Sequence, residues 1–246
     1  MPRRLVAALQ AGGWRPISID RPGFGLTSMI EGQPWEQAAD DVGEVLDALG
    51  LAHAVLLSRT AAMVGITTAA RLGARIAGGI LIGPEPPAAL DTRWAGMMGR
   101  GKALFFNSPL FAAAFAAIMS KRTSSEQIIR MQRDSVAGSA IDEAVMDDPA
   151  NVADIVRASR QAALGLHGFV AEMRAQGTAA VPPVLADGRR WTVMVGACDP
   201  LYDGPASGTY WQAQLPGAAL AVLPDGGRWL HFTHVPAIVA ALQRLA

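Results

Sequence analysis

The sequence predicts an α/β protein: a mostly parallel sheet with flanking helices and an inserted helical cap. Two observations lead to this class. Short apolar runs of strand length alternate with helix-length segments early in the chain and return near its end. Between them, residues 88–176 show helical segments and no strand pattern. Because strands that alternate with helices favour a parallel sheet, we expect one core from residues 1–87 and 177–246 and a cap from residues 88–176.

The first elements are bounded by clear stop signals. Leu5–Gln10 predicts a short helix that ends at Gly12 and Gly13. The apolar run Pro16–Ile19 predicts a strand, closed by a turn at Asp20–Gly23. A second helix begins at Gln33-Pro34, carries apolar residues at helical spacing and closes at Gly50.

The later core elements follow the same alternation. They are a strand at Ala54–Leu57, a helix at Met63–Leu72, a strand at Gly79–Ile82, two strands after the cap at Trp191–Val195 and Ala218–Leu223, and a closing helix from Pro236 through Leu245.

Composition limits the partners and the location. The 246 residues hold 21 Lys+Arg and 21 Asp+Glu, so net charge gives no reason to expect nucleic acid. The single cysteine excludes an internal disulfide framework, and the first residues lack a signal-peptide pattern, which predicts a cytoplasmic protein. The apolar stretch Leu104–Met119 is broken by Pro109, so no membrane span is expected.

Neither a cofactor nor a metal is expected. Gly23-x-Gly25 leads into a loop and lacks the third glycine and the helix of a dinucleotide site. No cluster of His, Cys, Asp and Glu has metal-ligand spacing.

Three segments resemble the α/β-hydrolase superfamily in order and spacing: Ile17–Gly25 with its Arg-Pro-Gly-Phe-Gly turn, Leu46–Leu51 at a helix end, and Gly196–Pro200 after a late strand. The resemblance implies a nucleophile in a strained turn between strand and helix, an acid after a late strand and a histidine near the C-terminus.

The nucleophile position is altered. Counting forward through the strand places Thr60 in the serine position, whereas counting back from the following helix places Arg59 there. Ser58 stands where the first glycine of the turn belongs. A β-branched residue suits a strained turn poorly, so Thr60 is a weak nucleophile candidate and is expected to bond a nearby backbone group.

The acid is retained and the base is replaced. Asp199 matches the family acid, although Asp-Pro is also a common turn signal. Arg228 stands where the resemblance implies histidine, and a guanidinium cannot accept a proton at neutral pH. It is expected instead to pair with Asp199 or to bind, together with Arg59, in the site. His231 and His234 are the candidate replacements if the loop has shifted.

The resemblance also implies that early strands are missing, together with a loop that supplies an oxyanion donor. Three arrangements remain open: a truncated product, direct pairing of Pro16–Ile19 with Ala54–Leu57, or a homodimer that covers the open edge.

Three functions follow as hypotheses. The first is a protein with little or no serine-type hydrolysis that binds a small apolar molecule. The second is an active hydrolase of a small ester or lactone that uses Thr60, Asp199 and His231. The third is a non-catalytic interaction subunit. The apolar cap residues are expected either to form the core of the cap or to line an apolar pocket between the cap and the sheet; they are Met97, Met98, Phe105, Phe106, Phe111, Phe115 and Met119.

Overall fold

A computed structural model of the chain describes residues 1–29, 34–86, 124–163, 166–178 and 190–245, together with Ser108, Leu110, Ala114, Ala117, Ile118 and Lys121. The seven apolar cap residues named above lie outside the described residues.

The described elements follow the predicted order. They are α1 (Arg3–Ala11), α2 (Pro34–Ala48), β1 (Ala54–Arg59), α3 (Ala62–Leu72), a 3-10 turn (Gly73–Arg75), β2 (Ile76–Ile82), α4 (Ser125–Val136), α5 (Ala140–Val145), α6 (Pro149–Ala163), α7 (Leu166–Thr178), β3 (Trp191–Gly196), α8 (Gly204–Ala213), β4 (Ala219–Leu223), α9 (Leu230–Thr233) and α10 (Val235–Gln243).

The four strands form one parallel sheet in the order β1-β2-β3-β4. The two central strands carry nearly continuous apolar sequence and are largely buried, as expected for strands covered on both faces. The two edge strands are only partly buried. The α/β class with a parallel sheet is therefore confirmed.

Helices cover both faces of the sheet. On one face, Leu5 and Leu9 of α1 and Ile238 of α10 pack against Ile80 and Met194. On the other face, α3 and α8 contribute a second buried cluster that includes Ile66 and Trp211. This arrangement leaves the carboxyl ends of the strands free to form a site, as in other parallel α/β sheets.

Four of the described helices, α4–α7, lie between β2 and β3 along the chain, and we call them the cap helices. They contain their own buried cluster, in which Val136, Met146 and Ile155 pack with Trp229 of the core. The described part of residues 88–176 contains helices and no strand, which agrees with the predicted cap.

The predicted strand at Pro16–Ile19 is wrong. Residues 14–20 have no assigned strand, and Ile17, Ser18 and Ile19 make no backbone hydrogen bond within the described chain. Direct pairing of this segment with Ala54–Leu57 is also wrong, because β1 pairs only with β2 among the described strands. An apolar run has the propensity of a strand but forms one only where a neighbouring strand supplies partners.

Candidate functional site

The turn between β1 and α3 has a strained backbone at Thr60. Its φ is 60°, and it is the one non-glycine residue of the described chain in the left-handed region. For a side chain with a Cβ this conformation costs roughly 1–2 kcal/mol. The Thr60 N–H donates to Ile82 O at 3.0 Å and the Thr60 carbonyl accepts from the Glu85 N–H at 3.1 Å, so the end of β2 holds the turn in place.

This geometry places Thr60 at the turn and Arg59 at the end of the strand. This is the arrangement that the sequence count forward through β1 gives. Ser58 lies inside β1 and faces Gly65 of α3, where a side chain on the helix would collide with the serine hydroxyl. Ser58 is therefore part of the packing contact between β1 and α3.

Two hydrogen-bond donors of the turn, the Thr60 hydroxyl and the Ala61 N–H, are used within the turn itself. Thr60 Oγ1 donates to the Arg59 carbonyl at 2.7 Å. The Ala61 N–H, which follows the nucleophile position, also donates to the Arg59 carbonyl at 2.7 Å. As expected from the sequence, the threonine hydroxyl bonds a backbone group.

Asp199 organises the turn after β3. Its Oδ1 accepts from the backbone N–H of Leu201 at 2.8 Å and from that of Tyr202 at 3.2 Å. No imidazole of the described chain donates to this carboxylate, and Arg228 makes no ion pair with it.

The loop after β4 places Arg228 where the resemblance implies histidine. The Arg228 guanidinium lies over the ring of Tyr202, 5.6 Å from its centroid, and its buried Nη1 has no hydrogen-bond partner in the described chain. The Tyr202 hydroxyl donates to Glu85 Oε1 at 2.7 Å. Burial raises the pKa of Tyr202 well above its ordinary value, so the phenol stays protonated and acts as a donor.

Asp142 of α5 anchors this loop from the cap side. The side chain is fully buried, and its carboxylate accepts the backbone N–H groups of Arg228 at 2.5 Å and Trp229 at 3.0 Å. Burial is the main cause that raises the pKa of Asp142, and the two backbone donors oppose it. Gly227 is needed beside this contact because a Cβ there would overlap the Asp142 carboxylate and the Ser139 hydroxyl.

His231 lies in α9 as a half-buried imidazole whose Nδ1 atom is buried. Burial lowers its pKa well below 6.5, and the nearby charges of Arg59 and Arg228 lower it further. Its Nδ1 has no hydrogen-bond partner in the described chain, and its ring meets Phe232 edge-on at 4.6 Å between centroids. No hydrogen bond joins His231 to Thr60 or Asp199.

Arg59 brings a second guanidinium close to Arg228. Its side chain keeps contact with solvent through a cavity beside β1, but protein atoms surround it. This burial, followed by the positive charge of Arg228, lowers the pKa of Arg59 to about 10, while Glu85 and Asp199 oppose the shift. Arg59 therefore remains charged at neutral pH. The structure thus brings Arg59, Arg228, Asp199 and His231 to one end of the sheet without linking them to Thr60 as a proton relay.

Sequence reasoning missed Asp142, Glu85 and Tyr202. Asp142 lies 86 residues before Arg228, and an aspartate in the first turn of a helix gives no signal of a distant backbone contact. Glu85 lies three residues after the end of β2, and its place near the carboxyl end of a central strand is the signal that was available.

A cavity of about 240 Å³ lies beside the Thr60 turn. Its walls are mainly aromatic and apolar, and Thr60 and Glu85 border it; the apolar lining residues are Phe24, Trp35, Ala61, Ala62, Met63, Phe169 and Trp211. Arg21 and Glu172 close one side through a two-pronged ion pair at 2.6 and 2.8 Å. This pair joins the turn after Ile19 to α7 of the cap helices.

Within the described ranges, no three His, Cys, Asp or Glu side chains lie close enough together to hold a metal ion. None of the described helices has the length and apolarity needed to cross a bilayer.

Comparison with known proteins gives consistent results. A model of the Alpha/beta hydrolase family matches residues 2–242. No curated protein matches the sequence. Similar solved structures include an esterase from Exiguobacterium antarcticum (15% identity, 99% of this chain and 87% of that chain, TM-score 0.69), a bromoperoxidase from Bacillus anthracis (18% identity, 100% and 87%, TM-score 0.68) and an alpha/beta hydrolase fold protein from Nakamurella multipartita (20% identity, 98% and 84%, TM-score 0.63). At these identities the structural likeness concerns the fold.

Proposed function

The chain belongs to the alpha/beta hydrolase family, and from this membership we propose that it binds a small apolar molecule beside Thr60 with little or no serine-type hydrolysis. The observation that carries the proposal is Arg228 at the position of the base. Asp142 holds the backbone of that residue, so the loop cannot shift freely to bring another side chain into its place.

The threonine hydroxyl also lacks activation. A hydroxyl nucleophile needs a base within hydrogen-bond reach, and Thr60 Oγ1 donates to the Arg59 carbonyl instead. The amide after it is likewise engaged with Arg59, so it is not free to stabilise an oxyanion. Loss of one such donor alone lowers the rate by about 10²- to 10³-fold.

The size and lining of the cavity support the ligand class. An apolar cavity of about 150 Å³ holds one benzene ring, so a cavity of about 240 Å³ suits a substituted single ring or a short branched chain. Phe24, Trp35, Phe169 and Trp211 offer aromatic faces, and Thr60 and Glu85 offer the few polar atoms that orient a ligand.

Hydrolysis of a small ester or lactone by Thr60, Asp199 and His231 is the second candidate. Two observations favour it. The turn at Thr60 has a strained backbone that packing does not require, and esterases are among the proteins of similar structure. It requires His231 to move from its half-buried position in α9 and approach both Thr60 and Asp199.

One experiment distinguishes ligand binding with little or no hydrolysis from hydrolysis of a small ester or lactone. The wild type, Thr60→Ala and Asp199→Ala are treated with a fluorophosphonate probe and with 4-nitrophenyl acetate and butyrate. We expect no labelling and no turnover above that of heat-denatured protein. Labelling and turnover that disappear in both variants would contradict the proposal and establish the hydrolase.

Ligand binding is tested in parallel by thermal shift with toluene, 4-ethylphenol and naphthalene. We expect the single-ring compounds to stabilise the wild type and the control Leu49→Trp, an exposed position outside the cavity, but not Met63→Trp, which fills it. Equal shifts in both variants would place binding elsewhere and refute the ligand site.

A further inference from the structure

One carboxylate on the wall of the cavity beside Thr60 has no counter-charge. Glu85 borders this cavity, is half-buried and makes no ion pair with any described residue. Its Oε1 accepts the Tyr202 hydroxyl at 2.7 Å, whereas its Oε2 has no hydrogen-bond partner in the same part of the chain. Removing a carboxylate from water is costly unless donors or a cation replace the water. The wall of the cavity therefore offers a free acceptor oxygen.

Three hydrogen bonds hold Glu85 in place. Its backbone N–H donates to the Thr60 carbonyl at 3.1 Å, and its own carbonyl accepts from Trp211 Nε1 at 2.8 Å. The Tyr202 hydroxyl holds the side chain. Because backbone and side chain are both fixed, the free oxygen keeps its place without a ligand, and this lowers the entropic cost of binding.

Aromatic rings surround the same space. The rings that line the cavity belong to Phe24, Trp35, Phe169 and Trp211. The face of an aromatic ring is electron-rich and attracts a cation within about 6 Å of its centroid. The fold already uses this attraction here, since the Arg21 guanidinium lies 4.5 Å from the centroid of the Phe24 ring. The rings therefore favour a positively charged group.

The charged residues of the lining leave one negative charge unmatched. Arg21 and Glu172 neutralise each other through their two-pronged ion pair. Glu85 is the third charged residue among the described residues of the lining. Neither Arg59 nor Arg228 borders this cavity. A ligand therefore meets aromatic faces and a single uncompensated carboxylate.

We infer that the ligand of this cavity carries an ammonium group on a single ring or a short branched chain, with its nitrogen at Glu85 Oε2 and its carbon frame among the aromatic rings. The inference rests on the proposed function, because it concerns the ligand of the same cavity. An ammonium N–H bonds a carboxylate in a charge-assisted hydrogen bond, which is roughly twice as strong as a neutral one. The ring faces attract the same charge.

The same walls discriminate against other ligands. A ligand carboxylate is repelled by Glu85, and like charges brought together cost binding energy. A hydrocarbon buries Glu85 Oε2 without any partner, which also carries a cost. An alcohol lies between these cases, because its hydroxyl donates to the oxygen but brings no charge.

The test compares three ligands of similar size by isothermal titration calorimetry: benzylammonium, benzyl alcohol and benzoate. At neutral pH the aliphatic amine is charged. We expect benzylammonium to bind the full chain about tenfold or more tightly than benzyl alcohol, and benzoate to bind most weakly. Equal affinity for benzylammonium and benzyl alcohol, or tightest binding of benzoate, would overturn the inference.

Two variants identify the charge that is responsible. Glu85→Gln keeps the shape of the side chain and an acceptor for Tyr202, so it should retain benzyl alcohol and lose most of the preference for benzylammonium. Glu126→Gln removes an exposed carboxylate of α4 that does not border the cavity and should leave the preference unchanged. A preference that survives in Glu85→Gln, or that falls equally in both variants, would refute the inference.

A third variant tests the rings independently of Glu85. Phe169→Leu keeps an apolar side chain but removes a ring face, so it should weaken benzylammonium more than benzyl alcohol. Equal losses for the two ligands would contradict the role of the ring faces in binding the cation.

Failure of this inference differs from failure of the proposed function. If toluene and 4-ethylphenol bind the wild type and not Met63→Trp, while benzylammonium gains nothing over benzyl alcohol, only the ammonium group is wrong. If no single-ring compound binds, or if Met63→Trp weakens none of them, the cavity is not a ligand site and both proposals fail.

Discussion

We expect Asp142→Ala to lower the free energy of unfolding by about 2–4 kcal/mol. The substitution leaves the backbone N–H groups of Arg228 and Trp229 without their acceptor in a fully buried place. Each buried, unsatisfied donor costs about 1–3 kcal/mol. Part of this cost is offset because the variant no longer holds a desolvated carboxylate, whose burial is evident from its raised pKa.

The assay is urea unfolding followed by tryptophan fluorescence at neutral pH, with Asp47→Ala as the matched control. Asp47 is an exposed carboxylate paired with Arg75, so its loss should change the free energy of unfolding by less than about 1 kcal/mol. If Asp142→Ala costs no more than Asp47→Ala, the buried carboxylate does not hold the loop and the reasoning about Arg228 fails with it.

The same carboxylate sets a pH dependence with a definite sign. The pKa of Asp142 is raised above 3.8 in the folded protein, so the folded state binds the proton more tightly than the unfolded state. The contribution of Asp142 to the free energy of unfolding is complete below pH 3.8 and is lost as the pH rises through the raised pKa. The stability of the wild type relative to Asp142→Asn should therefore be greatest at acidic pH and fall toward neutrality; a constant difference would contradict the shift.

The remaining predictions concern stability at other positions. Because the pKa of His231 is lowered in the folded protein, its contribution to the free energy of unfolding is present above pH 6.5 and is lost as the pH falls, by at most about 1.4 kcal/mol per pH unit. In urea titrations at several pH values, His231→Gln should therefore lose less stability at acidic pH than the wild type. Gly227→Ala should lower the melting temperature more than Gly12→Ala, where φ is negative and the added methyl group meets its neighbours at ordinary contact distance. Asp40→Asn breaks an exposed pair with Arg71 and should cost less than about 1 kcal/mol, a value that added salt reduces further.

Most of the fold was predictable because periodicity and stop signals are local. The helix at Pro34–Ala48 and the buried strands β2 and β3 follow from apolar spacing and from proline or glycine at their ends. The segment Pro16–Ile19 has the same local pattern and yet forms no strand. The difference is tertiary: a strand exists only where a neighbour accepts its backbone hydrogen bonds.

The site was predictable only in part. The resemblance placed Thr60, Asp199 and Arg228 along the chain, and the structure then fixed Thr60 at the turn through its positive φ. The role of Asp142 could not be predicted, because its contact with the 228–229 backbone joins distant parts of the sequence and needs no particular side chain at those positions. Nor could sequence indicate that Thr60 Oγ1 and the Ala61 N–H share one carbonyl.

Two of the contacts between the cap helices and the core differ in physical character. Asp142 is fully buried, so dissolved ions barely affect its attraction to the loop, whereas Arg21 and Glu172 are partly exposed and are screened by salt. Rising ionic strength therefore weakens the Arg21–Glu172 pair, which borders the cavity, and spares the contact made by Asp142. We expect the residence time of a molecule in the cavity to shorten as salt is added.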